Sequence, residues 1–307
     1  MKILITGGAG FIGSHLADAY LQDGHEVAII DNLETGFIEN INPDARFFEC
    51  DIRDEAAVSR HFDEFRPDIV SHHAAQMSVR LAVADPNYDV SINLIGALNV
   101  LQNAVRVGAR RFVFASSGGA VYGEPQYLPV DEEHPIAPES PYGLTKFAFE
   151  HYLRIWSHLH DITPVILRYA NVYGPRQTPH GEAGVVAIFA GKLFEDQPCT
   201  IFGDGSMTRD YVHVNDVAAA NRAALEKGDN AIVNIGAGLE TSTREVFDAV
   251  LAAADEGESE PIYKPERPGE VHNIFLAIER AKEVLDWCPQ VELREGVRRT
   301  VEYLRNE

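Results

Sequence analysis

Lys2-Ile3-Leu4-Ile5-Thr6-Gly7-Gly8-Ala9-Gly10-Phe11-Ile12-Gly13 is the stretch on which the reading of this chain turns. Lys2 to Ile5 is a short apolar run that reads as a buried strand. It breaks into glycines at 7, 10 and 13 and restarts as a helix carrying Phe11, Ile12, Leu16, Ala17, Tyr20 and Leu21 at helical spacing. Strand, glycine turn and helix in that order form a phosphate-binding turn. Gly7 permits the sharp turn, Gly10 lets an anion approach the backbone, and Gly13 lets the helix lie close to the strand. The spacing Gly-x-x-Gly-x-x-Gly differs from the commoner G-x-G-x-x-G, and a glycine triplet alone also fits a tight turn that binds nothing.

The residues that follow favour the nucleotide. Gly24 ends the helix, Glu26–Ile30 reads as a second strand, and Asp31 closes it, eighteen residues beyond Gly13. An acid there bonds an adenosine ribose and repels a 2′-phosphate, which selects NAD over NADP. Further strands are expected at Arg46–Cys50, Asp68–Ser71, Arg111–Ala115 and Pro164–Leu167, with helices between them, including a long one from Val90 to Val107. Asp51 and Ile52 close the third strand; Asp51 suits either the cofactor or the cap of a helix starting near Glu55. The alternation specifies an α/β fold: a doubly wound parallel sheet, the Rossmann arrangement, with a smaller α/β substrate-binding domain.

Residues 1–168 are expected to form the NAD-binding domain, with 210–235 returning to it. Residues 169–209 and 236–307 then make the substrate-binding domain. After Arg168 a Gly- and Pro-rich segment reads as a functional loop. Beyond it come helices at Gly184–Phe194, Asp216–Leu225, Thr243–Ala254 and Ile278–Leu285, and strands at Cys199–Phe202, Arg209–Val214 and Ala231–Ile235.

Composition narrows the function. The 307 residues carry a formal net charge of −21, which repels nucleic acid and anionic membranes. An anionic ligand must therefore be met by local Arg or Lys and by backbone N–H groups. Cys50, Cys199 and Cys288 are scattered without metal-ligand spacing, and a reducing cytoplasmic setting is expected. No apolar run reaches membrane length. His72 and His73 are adjacent, so they point to opposite faces of a strand, and no acid or cysteine joins them at ligand spacing; no metal is expected. They open the segment His72 to Gln76, where Ala74 and Ala75 are small, as a loop crossing a cofactor should be.

The chemistry falls on Ser140-Pro141-Tyr142-Gly143-Leu144-Thr145-Lys146, which opens a helix. Residues four apart share a helix face, so Lys146 sits beneath Tyr142. A free tyrosine, with a pKa of about 10, is a poor base at neutrality; a nearby ammonium should favour its phenolate and allow proton exchange with a substrate hydroxyl. The Ser-rich end of the fifth strand, Ser116-Ser117-Gly118-Gly119, precedes it, and strand carboxyl ends carry active sites in such sheets.

With TGGAGFIGSH, DNL, HHAAQ, SSGGAVYGE, SPYGLTK, RYANVYGPRQ, IFGDG, RDYVHVNDV and RPGE in order, the chain resembles the nucleotide-sugar epimerases of the extended short-chain dehydrogenase/reductase superfamily over nearly its whole length. That resemblance implies bound NAD, a UDP-sugar substrate and epimerisation at C4′. It implies Tyr142 as acid–base, Lys146 as its activator and ribose ligand, and a catalytic hydroxyl at Ser117, with Ser116 as the alternative. It further implies NAD contacts at Gly7, Gly10, Phe11, Ile12, Gly13, Asp31, Asn32, Asp51, Ile52, Ala74, Ala75, Gln76 and Asn93. Asn171, Phe202, Arg209 and Arg267 match positions that hold the UDP, and an arginine pair suits a diphosphate. A homodimer through two helices per subunit, near Val90–Val107 and Tyr142–His158, is also implied. The competing readings are a nucleotide-sugar dehydratase, disfavoured because Gly118-Gly119 stands where an acid pair is needed, and epimerisation of UDP-GlcNAc or UDP-glucuronate, which a small residue at Ile274 would admit. A non-catalytic NAD-sensing protein is disfavoured by the retained Tyr, Lys and Ser.

Overall fold

The computed structural model describes residues 1–179, 184–255, 259–266 and 271–306. The first half runs β1 (Lys2–Thr6), α1 (Phe11–Gln22), β2 (Glu26–Asp31), β3 (Arg46–Glu49), α2 (Glu55–Phe65), β4 (Ile69–His72), α3 (Val79–Ala84), α4 (Pro86–Val90), α5 (Ala97–Val107), β5 (Arg111–Ser117), α6 (Gly118–Val121), α7 (Pro141–Leu159) and β6 (Thr163–Tyr169). The second half runs β7 (Asn171–Tyr173), α8 (Val185–Phe194), β8 (Thr200–Phe202), β9 (Thr208–Arg209), β10 (Tyr211–His213), α9 (Val214–Ala224), β11 (Ile232–Ile235), β12 (Thr241–Ser242), α10 (Thr243–Ala254), β13 (Ile262–Lys264), α11 (Glu279–Leu285) and α12 (Leu293–Arg305).

Seven strands form one sheet in the order β11-β6-β5-β4-β1-β2-β3, and every pairing in it is parallel. The connection reverses between β1 and β4, which opens a crevice beyond their carboxyl ends. Strand side chains alternate between faces, so Ile3 and Ile5 join α1 and α9 through Leu16, Tyr20, Val217 and Ala220 on one side. Leu4 joins α2, α5 and α7 through Phe62, Val100, Leu101 and Phe149 on the other. This is the doubly wound α/β fold that the alternating pattern specifies. A further apolar core, with Phe189, Phe247, Val250, Val297 and Val301, unites α8, α10 and α12.

The structure departs from the sequence expectations at several elements and decides one point, the role of Asp51, that the sequence leaves open. The expected single helix Val90–Val107 begins earlier, at Pro86, and passes through a π-helical turn at Ser91–Gly96 before α5. Such widened turns are frequent at functional sites, and here Asn93 Nδ2 donates to Asp89 Oδ1 at its start, at 2.8 Å. The expected strand Arg209–Val214 is two short strands, because Asp210 turns its carboxylate onto the N–H groups of Ala237 and Gly238 between them. Asp51 does not cap α2; Asp54 does, accepting from the Ala57 N–H at 3.0 Å. Finally, α12 adds a helix beyond those expected, with Val297, Val301 and Leu304 recurring at helical spacing.

Candidate functional site

The glycine turn lies at the carboxyl end of β1. Gly7 has φ +72°, and a Cβ there would stand 2.6 Å from the Ala74 nitrogen, so only glycine lets the turn and the loop after β4 meet. A Cβ at Gly13 would stand 2.2 Å from the Gly7 carbonyl oxygen. Gly10 is the N-cap of α1 and offers no side-chain cap. The N–H groups of the first turn, at Phe11, Ile12 and Gly13, are thereby left to face a ligand anion with the favourable end of the helix dipole. These features fit a dinucleotide pyrophosphate.

At the next strand end, buried Asp31 accepts from the Ala9 N–H at 3.0 Å and the Leu33 N–H at 2.9 Å. Burial holds its carboxyl above the usual carboxylate range, and those backbone bonds oppose the rise. Asn32 Nδ2 donates to Asp51 Oδ2 at 3.1 Å, so β2 and β3 end side by side. Asp51 is chiefly engaged by Arg53, whose hydrogen bonds hold its carboxyl low. Ile52 packs under the π turn, where a Cβ on Gly96 would lie 2.7 Å from its Cγ1.

The loop His72–Gln76 is bolted from both sides. Thr6 Oγ1 accepts from the His73 and Ala74 N–H groups at 3.2 and 3.3 Å and pairs with His72 Nδ1 at 2.7 Å. His72 lies among Phe112, Phe114 and Phe149, whereas His73 reaches the Tyr169 hydroxyl at 3.0 Å on the opposite face. Burial pushes the His73 imidazole down to about 3. Among the described residues no group of three or more His, Cys, Asp or Glu could hold a metal ion. Asn93 donates to the Gln76 carbonyl at 2.8 Å and accepts from its N–H at 2.9 Å, fixing Gln76 as a neighbouring strand would.

The Tyr-Lys-Ser group assembles at the carboxyl end of β5. Ser140 caps α7 by accepting from the Gly143 N–H at 3.1 Å, and Pro141 opens its first turn. That start sets Tyr142 one turn before Lys146. Lys146 is buried, its Nζ lies 5.8 Å from the Tyr142 ring centre, and it donates to the Ala115 carbonyl at 3.0 Å. Burial lowers the ammonium to about 8, while the carboxylates of Asp89 and Glu150 oppose that fall. Burial raises the Tyr142 phenol to about 12, while its hydrogen bond with Ser117 works the other way. The phenol is thus raised, where the sequence spacing leads one to expect depression by Lys146. The ammonium is bonded to a carbonyl, and loss of water from the phenol hydroxyl outweighs the hydrogen bond with Ser117.

The two serines divide cleanly. Ser116 is buried and donates to Glu150, which is paired with Arg168 at 2.6 Å. Ser117 faces the Tyr142 phenol. Opposite Ser117 in register is Tyr169, and two residues further on, Asn171 begins β7, against the Gly119 turn. Arg209 Nη1 donates to the Thr208 and His272 carbonyls at 2.7 and 3.1 Å. Phe202 ends β8 in a separate two-stranded sheet with β13. Arg267 lies outside the described residues. Three buried groups escaped sequence reading: Asp89, Thr145 and Asp210. Asp210 accepts from the Ala237, Gly238 and Leu276 N–H groups and ties Arg209 to the neighbouring loops. The Asp89–Asn93 and Thr145–Tyr142 contacts are local, but those of Asp89 with Gln76 and Thr145 and of Asp210 with Ala237, Gly238 and Leu276 are long-range, and no local spacing announces them.

Comparison with known proteins agrees with this geometry. Residues 3–236 match the model of the NAD dependent epimerase/dehydratase family. A UDP-glucose 4-epimerase of Mycolicibacterium smegmatis is 46% identical over 100% of this chain and 99% of its own. The crystal structure of a Thermotoga maritima UDP-glucose 4-epimerase with UDP-glucose superposes with a TM-score of 0.97 at 46% identity, over 100% of this chain and 99% of that one. A Thermus thermophilus UDP-glucose 4-epimerase in complex with NAD gives 0.94 at 46% identity, over 99% of each chain. With the glycine turn, the bolted loop and the Ser117-Tyr142-Lys146 group on one sheet edge, the chain belongs to the NAD dependent epimerase/dehydratase family.

Proposed function

We propose that this protein interconverts UDP-glucose and UDP-galactose by transient oxidation at C4′. The observation that carries the reading is Ser117, Tyr142 and Lys146 gathered at the end of β5, beside a glycine turn built for a pyrophosphate. NAD, when bound, supplies a two-electron acceptor that takes hydride from C4′ and returns it.

The chain does the rest. Tyr142 Oη accepts the proton of the sugar 4′-hydroxyl and gives it back. Ser117 Oγ holds the sugar oxygen in line with that phenol. Lys146 bonds the ribose of the cofactor and keeps positive charge beneath the ring of Tyr142. Gly7, Gly10, Phe11, Ile12 and Gly13 seat the pyrophosphate, Asp31 and Asn32 the adenosine ribose, and Asp51 and Ile52 the adenine edge. Ala74, Ala75, Gln76 and Asn93 form the floor. Arg209 and Arg267 grip the substrate diphosphate, with Asn171 and Phe202 beside them. A firm hold on the diphosphate by Arg209 and Arg267 and a loose hold on the sugar would let the sugar present either face within the pocket.

Residues 1–168 with 210–235 serve the cofactor, and 169–209 with 236–307 the nucleotide sugar. Two copies pair through α5 and α7; exposed Leu144, Ile155 and Leu159 recur along one face of α7 and support this.

The test is turnover of UDP-galactose by purified protein without added reductant. Tyr142→Phe should retain NAD yet lose roughly 10³-fold in kcat. Full activity in that variant, or net NADH accumulation by the parent, would refute the reading. A panel of UDP-hexoses and UDP-N-acetylhexosamines assigns the natural sugar.

A further inference from the structure

Asp89 is fully buried on α4. Its Oδ1 accepts from Gln76 Nε2 at 2.9 Å and Asn93 Nδ2 at 2.8 Å, and its Oδ2 from Thr145 Oγ1 at 2.8 Å. One carboxylate thus joins the loop under the cofactor, the π turn and the first turn of the catalytic helix. All three partners are neutral.

Hydrogen bonding alone does not call for an acid here. An asparagine could keep Oδ1 toward Gln76 and Asn93 and donate from Nδ2 to Thr145 Oγ1. Thr145 would then give its own proton to the Tyr142 carbonyl, which already lies 3.0 Å away. What asparagine cannot supply is negative charge, and a buried ammonium without a counter-charge is costly.

The other groups facing Lys146 do not supply it freely. Glu150, on its own helix, is bound through both oxygens to Arg168 of β6, at 3.0 and 2.6 Å, and also accepts from Ser116. His72 and His73 of the β4 end are held neutral by burial. Burial, with the Asp89 carboxylate adding to it, pushes the Tyr142 phenol up to about 12, so it offers Lys146 no counter-charge. On α3, packed beside α7, Arg80 is exposed, and Asp85 at the start of α4 is exposed too. Tyr88, also on α4, donates to Glu34 at the surface.

We propose that Asp89 is a positioning residue for the reaction, whose carboxylate is the counter-charge of Lys146 and whose hydrogen bonds clamp the cofactor-bearing loop to the catalytic helix. The ammonium then stays charged under Tyr142 despite its burial, consistent with the direction in which Asp89 moves it. The proposal rests on the epimerase reading for its functional consequence, but its electrostatic part does not.

The experiment is Asp89→Asn in the NAD-loaded protein. Titration of the Lys146 Nζ by NMR of ¹⁵N-lysine-labelled protein, assigned with Lys146→Met, is read without substrate. The Lys146 midpoint is expected to fall by about one pH unit in the variant, as loss of the negative charge held against the adjacent Thr145 requires. At pH 7 the kcat should fall about two-fold, because a midpoint moved from about 8 to about 7 takes the charged fraction from roughly nine-tenths to one-half, and its pH profile should shift with the amine, while KM for the UDP-sugar holds. Thr145→Val removes one hydrogen bond and no charge, so it should leave the Lys146 midpoint in place. An unchanged midpoint in Asp89→Asn would overturn the proposal; Asp89→Glu, which keeps the charge, is the second variant, and a Lys146 midpoint that falls in it by about one pH unit would overturn the charge assignment as well. A parent protein that turns over no UDP-sugar would sink the epimerase reading and leave the titration result standing.

Discussion

Glu150→Gln should cost more stability than almost any other single-atom change in the protein. Glu150 and Arg168 each expose 2% of their side chains. Arg168 gives Nε and Nη2 to the two carboxylate oxygens and Nη1 to the Tyr122 hydroxyl at 2.9 Å. Burial opposes the guanidinium charge, but the bonds to Glu150 outweigh it and hold Arg168 above its ordinary range. Removing one partner of such a pair leaves an uncompensated buried charge, at roughly 3–5 kcal/mol. Glutamine retains one acceptor, which places it near ~3 kcal/mol, and alanine adds a void and approaches ~5 kcal/mol. Urea denaturation followed by circular dichroism, at fixed protein and NAD concentration, measures the loss. The double variant Glu150→Met/Arg168→Met should be more stable than either single one, because no lone charge remains. A loss below about 1 kcal/mol for Glu150→Gln would refute the claim that the pair is buried and mutually dependent.

Gly13→Ala should abolish copurifying NAD, since its Cβ would meet backbone at 2.2 Å from the Gly7 oxygen; an unaltered cofactor content would count against the turn as the pyrophosphate seat. Asp31→Asn should narrow the preference for NAD over NADP, measured as the ratio of dissociation constants, and an unchanged ratio would remove its ribose role. The Lys146 amine titrates near 8 when folded and near ~10.4 when unfolded. Between those values the unfolded chain holds a proton that the folded one lacks, so stability should fall as pH drops from about 10.4 to about 8 and level off below, a difference on the order of 3 kcal/mol. Lys146→Met should lack that slope in urea midpoints. Ile155→Glu with Leu159→Glu should yield monomers by sedimentation velocity if α7 forms the subunit contact; a persistent dimer would exclude that face.

The opening stretch, with the strand–helix alternation that follows it, is enough to read the fold from the sequence. Its strand, turn and helix are local, and each glycine answers a constraint from within a few residues or from the strand next door. The alternation of strand and helix patterns, the acid at 31 and the Tyr142–Lys146 spacing are likewise short-range, because helix and strand periodicities are set by bonded geometry. Ser117 over Ser116 was a different matter. Both sit at one strand end, and only the packing of α7 and β6 decides which hydroxyl is consumed by the Glu150–Arg168 pair and which is turned to Tyr142.

The electrostatics also belonged to the tertiary structure. The same Tyr-Lys spacing suggests an acidic phenol on an isolated helix, yet burial raises it, since desolvation depends on what the rest of the chain places around the oxygen. Asp89 lies 57 residues before Lys146 in the sequence, and nothing in its neighbourhood marks it. Periodicity could name the elements because it needs only neighbours; the counter-charges, the bolted loop and the choice of serine required the sheet to bring distant residues within hydrogen-bond reach.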